Sequence, residues 1–134
     1  MTADPVTVRS ARPDDATAVI DLLDRAMLQV DRPGLPERIH NGAVVVITEG
    51  ERIHGAAVLA GQHIEAIAIA KSRRGHGLGR TLVEAIQRRT AVVTASCHPQ
   101  AVGFYQALGF TCYSLPDGRC FAYRRNQTNG STSF

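Results

Sequence analysis

Arg74-Gly75-His76-Gly77-Leu78-Gly79-Arg80-Thr81 is the stretch on which the reading of this chain turns. Before it lies the strand-like run 63–70, and after it Leu78, Leu82, Val83, Ala85 and Ile86 recur at helical spacing. A strand therefore passes through a glycine-rich turn into a helix that begins near Gly77. Glycines let backbone N–H groups approach an anion closely, and a helix start adds unpaired donors and the positive end of its dipole. The dipole is worth about 0.3–1 kcal/mol, up to ~2 when partly buried. Charge-assisted N–H bonds to phosphate add roughly 1.5–3 kcal/mol each, so several of them would dominate an affinity. Lys71, Arg73, Arg74 and Arg80 crowd the same stretch, with Arg88 and Arg89 following, which points to a local anion site.

Two common phosphate motifs fail here. A P-loop ends in Gly-Lys-Ser/Thr, and Gly79-Arg80-Thr81 replaces the lysine. The dinucleotide fingerprint needs glycine where Arg80 stands, and it belongs to the first strand–helix unit of its fold.

Working outward, residues 6–9 alternate as a short strand. Asp14 is the expected N-cap of a helix carrying Ala16, Val19, Ile20, Leu23, Ala26, Met27 and Val30. Pro33-Gly34 breaks the chain, and residues 36–40 form a short second helix. Strands are expected at 44–48 and 52–59, joined at Glu49-Gly50-Glu51, and Gly61-Gln62 turns into a third at 63–70. Beyond the glycine-rich turn and its helix come a strand at 91–95 and a helix from Pro99 with Ala101, Val102, Tyr105 and Leu108, stopped by Gly109. Residues 110–113 and 120–124 pair through Pro116-Asp117-Gly118. The order β-α-α-β-β-β-α-β-α-β-β specifies an α/β fold, a mixed sheet with helices on both faces.

At 134 residues the chain reads as one domain over 1–125, with a polar tail at 126–134 expected to be loosely attached. No apolar run approaches the ~18 residues that span a bilayer, and Met1-Thr2-Ala3-Asp4-Pro5 lacks the features of a signal peptide; a cytoplasmic location is expected. The tail's Asn126-Gln127-Thr128 and Asn129-Gly130-Ser131 match the glycosylation pattern, which without a secretory signal is read as coincidence. Cys97, Cys112 and Cys120 have neither disulfide nor metal-type spacing, so no metal is expected. The net charge of +3 raises a nucleic-acid partner, but aromatics are 5% and Trp is absent, leaving no stacking platform. Salt-dependent binding to random DNA would mark that class.

The anion turn fits a known family. Arg74-Gly75-His76-Gly77-Leu78-Gly79 resembles the coenzyme A signature Arg/Gln-x-x-Gly-x-Gly/Ala of the GNAT N-acetyltransferases. Phe104-Tyr105-Gln106-Ala107-Leu108-Gly109-Phe110 is similar to the family's Phe-Tyr-x-x-Leu-Gly-Phe segment, and Arg9-Ser10-Ala11-Arg12-Pro13-Asp14-Asp15 to its opening. Their order and spacing, over residues 6–124, make the combination specific. One departure is His98, where many relatives carry Asn seven residues before the tyrosine.

The resemblance implies a GNAT-like, mostly antiparallel sheet whose fourth and fifth strands splay apart around the pantetheine arm of acetyl-CoA. It implies transfer of the acetyl group to a primary amine by direct attack, on a small molecule or peptide. Implied cofactor contacts are Ala68 and Ile69 with pantetheine, the Ile67 N–H as an oxyanion-type donor, and Arg74, Gly75, His76, Gly77, Leu78, Gly79, Arg80 and Thr81 around the diphosphate. Tyr105 matches the proton donor to the departing thiolate.

For a general base the candidates are Glu65 and His63, and Glu65, through water and aided by His63, is expected to take the proton of a strongly basic amine. By the strand's period of two, His63, Glu65, Ile67 and Ile69 share one face. His63 corresponds to the catalytic glutamate of the family's histone acetyltransferases, whereas Glu65 is itself a carboxylate. Cys97 is assigned to packing. Residues 27–43 are expected to shape the acceptor pocket, with Met27, Glu37 and His40 candidates by position alone. A homodimer is compatible with the family. The rival reading keeps the cofactor and drops the chemistry: an acyl-CoA-binding or sensing module with a degenerate acceptor site.

Overall fold

A computed structural model describes residues 5–26 and 33–125. Its elements follow the expected order: β1 (Val6–Ser10), α1 (Ala16–Arg25), α2 (Leu35–His40), β2 (Val44–Glu49), β3 (Arg52–Ala60), β4 (His63–Ile69), α3 (Leu78–Gln87), β5 (Val92–Cys97), α4 (Val102–Ala107), β6 (Thr111–Ser114) and β7 (Cys120–Arg125). Short 3₁₀ turns precede α1 and α4 and follow β4. Met27 and Val30 of the first helical stripe, and the tail 126–134, lie outside the described residues.

The strands form one sheet in the order β1-β2-β3-β4-β5-β7-β6. Every neighbouring pair is antiparallel except β4 and β5. Alternation along the strands sends side chains to two cores. On one face Val45, Ile47, Ala57, Leu59, Val93, Ala95 and Cys97 pack with Leu78, Leu82, Val83 and Ile86 of α3 and Tyr105 of α4. On the other face Val44, Val46, Ala56, Val58, Ala66 and Ala68 pack with Val19, Leu22 and Leu23 of α1 and Leu35 and Ile39 of α2. Burying one such side chain fully stabilises by about 1.5–3 kcal/mol, so these helices are held by their apolar stripes more than by propensity.

The start of α1 differs from expectation. A 3₁₀ turn over Pro13–Asp15 comes first, and Asp15, one residue after Asp14, is the N-cap residue. The Asp15 carboxylate is held at 2.7 Å by Arg9 and at 2.7 Å by the Arg12 N–H, closing that turn back onto β1. The Arg9 guanidinium, with the Arg12 N–H, holds the Asp15 carboxyl below its ordinary range against the opposing effect of burial.

A second difference decides the site. Along β3 and β4 the register runs Val58↔Ala66 and then Leu59↔Ile64, leaving Glu65 as the extra residue of a β-bulge. Past the bulge the alternation changes sides. Ile64 joins Ile67 and Ile69 in the α3 core, while Ala66 and Ala68 face α1 and α2. His63 and Glu65 therefore do not share a face with Ile67 and Ile69, as an unbroken period of two requires. His63 bonds Thr94 and Ser96, the β5 residues that alternate with core-facing Val93, Ala95 and Cys97. Glu65 reaches Arg38 of α2.

Candidate active site

β4 and β5 pair only at His63↔Thr94 and Ile64↔Ala95. Beyond that point they part, and a cleft of about 700 Å³ opens at the splay. Its β4 wall is Ile67, Ala68 and Ile69; its far wall is Phe104 and Ala107 of α4, with Gln100 and Ala101 of the 3₁₀ turn before that helix and Leu108 just after it; its end is Arg73, Arg74, Gly75 and the first turn of α3. Ala26, at the C-terminus of α1, also borders it. Since Ala26 and Ala68 lie on the α1 side and Phe104 on the other, the cleft passes through the sheet.

The anion turn has the geometry its sequence demands. Gly75 (φ 84°) and Gly77 (φ 78°), the N-cap residue of α3, are left-handed, where L side chains are strained. A Cβ built on either meets no atom of the described residues within 4 Å, so both backbones face open space there. Arg74 Nε donates to the Ile69 carbonyl at 3.1 Å, tying the turn to the end of β4. Arg73 is gripped by Glu49, whose Oε1 also lies 3.1 Å from His54 Nε2, and the Arg73 Nε is buried with no partner among the described residues. Arg80 leans on Glu84 at 3.4 Å and donates to the Ala107 carbonyl at 3.3 Å, spanning α3 and α4.

Of the expected cofactor residues, Ile67, Ala68, Ile69, Arg74, Gly75, Gly77, Leu78, Gly79 and Arg80 border the cleft. His76 and Thr81 do not: His76 Nδ1 lies 3.2 Å from the Arg73 carbonyl, and the Thr81 hydroxyl donates to the Gly77 carbonyl at 3.0 Å. Lys71 lines a separate depression against α1, beside Asp21 and Arg25. The sequence reading placed Arg73 in the basic cluster at the anion turn, and the cleft is bordered by it; what it missed is the α4 wall. Gln100, Ala101, Phe104, Ala107 and Leu108 fall on one helical stripe, the signal by which they were findable.

Tyr105 is beneath the cleft wall, 2% exposed, with Phe104 and Phe110 edge-on at 5.1 Å each. Burial, reinforced by nearby Cys97 and Cys112, pushes its phenol well above the ordinary value, so it is fully protonated. Cys97 is the last residue of β5, and burial raises its thiol to about 11, which suits packing and not nucleophilic attack. His98 is exposed and makes no side-chain cap bond to the turn it precedes.

Glu65 is ion-paired to Arg38 at 2.7 Å, and Arg38 also donates to the Leu59 carbonyl at 2.9 Å. His63 is enclosed differently. Its Nδ1 lies 2.7 Å from Thr94 Oγ1, its Nε2 2.7 Å from Ser96 Oγ, and its ring stacks on Phe121 with centroids 6.1 Å apart. Burial lowers its pKa below the ordinary 6.5, with Glu65 pulling the other way. Glu37 and His40 are exposed on α2, and Met27 lies outside the described residues.

Comparison with known proteins agrees with this architecture. Residues 23–118 match the family described as acetyltransferase (GNAT) domain. The peptidyl-lysine N-acetyltransferase YjaB of Escherichia coli (strain K12) is 38% identical over 69 residues, 49% of this chain and 47% of YjaB. That alignment spans about half the length of the curated relative. The solution structure of apo YjaB from E. coli superposes with a TM-score of 0.63 at 24% identity, covering 89% of this chain and 95% of the other. A GNAT-family acetyltransferase from Bacillus cereus ATCC 10987 gives 0.76 at 17% identity, over 92% and 99% of the two chains. N-acetylglutamate synthase from Neisseria gonorrhoeae, complexed with coenzyme A and N-acetyl-glutamate, gives 0.74 at 18% over 94% and 36%. At such identities the structural likeness speaks for the fold.

Proposed function

The chain belongs to the GNAT acetyltransferases, and from that premise we propose that it moves the acetyl group of acetyl-CoA to a primary amine by direct attack. The observation that carries this reading is the through-sheet cleft closed at one end by the glycine turn. Gly75 and Gly77 expose backbone to open space where a diphosphate needs it, and Arg73, Arg74 and Arg80 surround that space with positive charge. The pantetheine arm would lie along Ile67, Ala68 and Ile69, with the Ile67 N–H polarising the thioester carbonyl. Phe104 and Ala107 supply an apolar opposite wall. Coenzyme A bound to the N. gonorrhoeae relative supports the cofactor assignment.

Tyr105 serves in this reading as the proton donor to the thiolate; its burial keeps the phenol protonated at every physiological pH. Of the two candidate bases, His63 is the better placed electronically. It stays neutral at pH 7, while the Glu65 carboxylate is already compensated by Arg38. YjaB acts on peptidyl-lysine by its name, so lysine peptides head the list of acceptors, followed by polyamines, amino acids, aminoglycosides and peptide N-termini. The test is thiol release from acetyl-CoA across that panel, alongside thermal shift with coenzyme A. Stabilisation without turnover on any amine would replace the enzyme by an acyl-CoA-binding module.

A further inference from the structure

Three side chains at the point where β4 and β5 part form one hydrogen-bonded chain, Thr94–His63–Ser96, with both links at 2.7 Å. Thr94 and His63 are register partners, and Ser96 is the β5 residue just beyond the last β4–β5 pair, at the apex where the strands begin to part and next to, not within, the lining of the cleft. All three project to the α1/α2 side of the sheet, and Ser96 is half-buried with its hydroxyl turned to an imidazole nitrogen. A hydroxyl on each side of a neutral imidazole leaves one ring nitrogen donating and the other accepting, and the partner of one nitrogen fixes the role of the other.

We propose that Ser96 is a catalytic residue that passes the proton of the attacking amine to His63, with Thr94 positioning the imidazole as its Nδ1–H tautomer. This rests on the amine-acetylating reading above. Nδ1–H donates to Thr94 Oγ1, which leaves Nε2 to accept from the Ser96 hydroxyl. A proton of the substrate ammonium passes to Ser96 Oγ as the Ser96 proton moves to His63 Nε2; the freed lone pair then forms the C–N bond at the thioester carbonyl, and the surplus N–H proton of the adduct is lost to water. The C–S bonding pair leaves with sulfur, which takes a proton from Tyr105. The imidazolium then returns its proton to water, and the phenol is reprotonated from solvent. No atom or charge is left over.

Other features of that face suit the arrangement. The titratable and charged groups around His63 are Glu65 on its own strand, neutralised by Arg38 of α2, and Tyr123 of β7, the register partner of Thr94. Phe121 covers one side of the ring. Glu65 thus contributes a modest field, and the imidazole answers mainly to its burial and its two hydroxyls.

The test joins three measurements on the full chain. First, imidazole ¹⁵N spectra above the His63 pKa should show Nδ1 protonated and Nε2 bare; the opposite tautomer overturns the proposal. Second, a lysine peptide with a blocked N-terminus is acetylated with saturating acetyl-CoA between pH 6 and 10. Ser96→Ala should lower kcat about 100-fold near pH 7, with the loss shrinking at high pH, and Ser96→Thr should restore most of it. Thr94→Val should lower kcat about tenfold and displace the acidic limb of the pH profile. Third, the thermal shift by coenzyme A should be the same in every variant. Parental kcat and pH profile in Ser96→Ala refute the relay while the acetyltransferase reading stands. Stabilisation by coenzyme A with no acetylation of the peptide also refutes the relay, because it then has no proton to carry. No stabilisation by coenzyme A removes the reading on which the relay rests.

Discussion

Gly79 faces the ring of Phe104 so closely that a Cβ added to it would stand 3.0 Å from Cε1 and 3.1 Å from Cζ. Bare backbone at this position lets α3 and α4 approach, and that spacing sets the width of the cleft between them. Gly79→Ala gains helix propensity of up to ~1 kcal/mol but drives the ring aside. The apo protein should therefore melt within a few degrees of the parent, while calorimetry should show coenzyme A bound about 5–10-fold more weakly. An unchanged dissociation constant would mean that Phe104 does not define the cofactor wall.

Acetyl-CoA at about 100 times its dissociation constant should add ~2.7 kcal/mol of stability. Gly77→Val should abolish that gain, because the side chain enters the space where the diphosphate sits. It should also lower the apo melting point, since a left-handed non-glycine residue costs roughly 1–2 kcal/mol. Lys71→Ala should keep the full ligand shift, because Lys71 lines the separate depression against α1. An unshifted parent protein in saturating coenzyme A would end the cofactor assignment.

Tyr105→Phe removes one oxygen from an apolar site ringed by Phe104 and Phe110, so the fold should be at least as stable as the parent. Turnover should fall roughly 10²–10³-fold with near-normal cofactor binding, the scale of one lost acid. Turnover within twofold of the parent would leave Tyr105 as a packing residue only.

The need for a base depends on the acceptor. A lysine-type amine of pKa ~10.4 is neutral about once in 2,500 molecules at pH 7, an α-amine near 7.8 roughly once in seven. For a lysine acceptor, His63→Gln should cost more turnover near neutral pH than Glu65→Gln, with partial recovery as pH rises. A larger loss in Glu65→Gln would transfer the role to the carboxylate. Parental pH–rate profiles in both would mean that the amine arrives already neutral.

Asp15 has a depressed pKa in the folded chain, so its contribution is present in full above the unfolded value near 3.8 and is lost as pH falls through the folded one. Asp15→Asn should destabilise at pH 7 by about 1.5–3 kcal/mol, the scale of a charge-assisted hydrogen bond. The gap between variant and parent should narrow in urea titrations as pH falls below 3.8 and through the folded value. His63 adds to the same acid side: its lowered pKa means stability present above 6.5 and lost as pH falls towards the folded value.

Much of this was legible in local pattern. The switch from alternation to helical spacing at Leu78, the turn signals at Gly50, Gly61 and Gly118, and the stop at Gly109 reflect short-range sterics that a sequence displays directly. The N-cap falls one residue later than expected because a 3₁₀ turn over Pro13–Asp15 precedes the helix, and the Asp15 carboxylate is taken by Arg9, on a different element. The face of His63 and the burial of Tyr105 depend on how β4 meets β3 and how α4 settles on the sheet. Neither pairing is written in the residues themselves.

The extra residue in β4 is also the one this strand can lose without turning any neighbour over. Excising Glu65 would set Ile64 directly before Ala66, on opposite faces as an uninterrupted pleat requires, with Val58↔Ala66 and Leu59↔Ile64 already in step. The imidazole of His63 would keep Thr94 and Ser96, and Ile64 would stay in its oily layer beside Leu59 and Leu82. What the cut removes is the carboxylate that Arg38 grips. In a lineage of this protein a one-residue deletion inside β4 should therefore be found at position 65, and Arg38 should vary along with it.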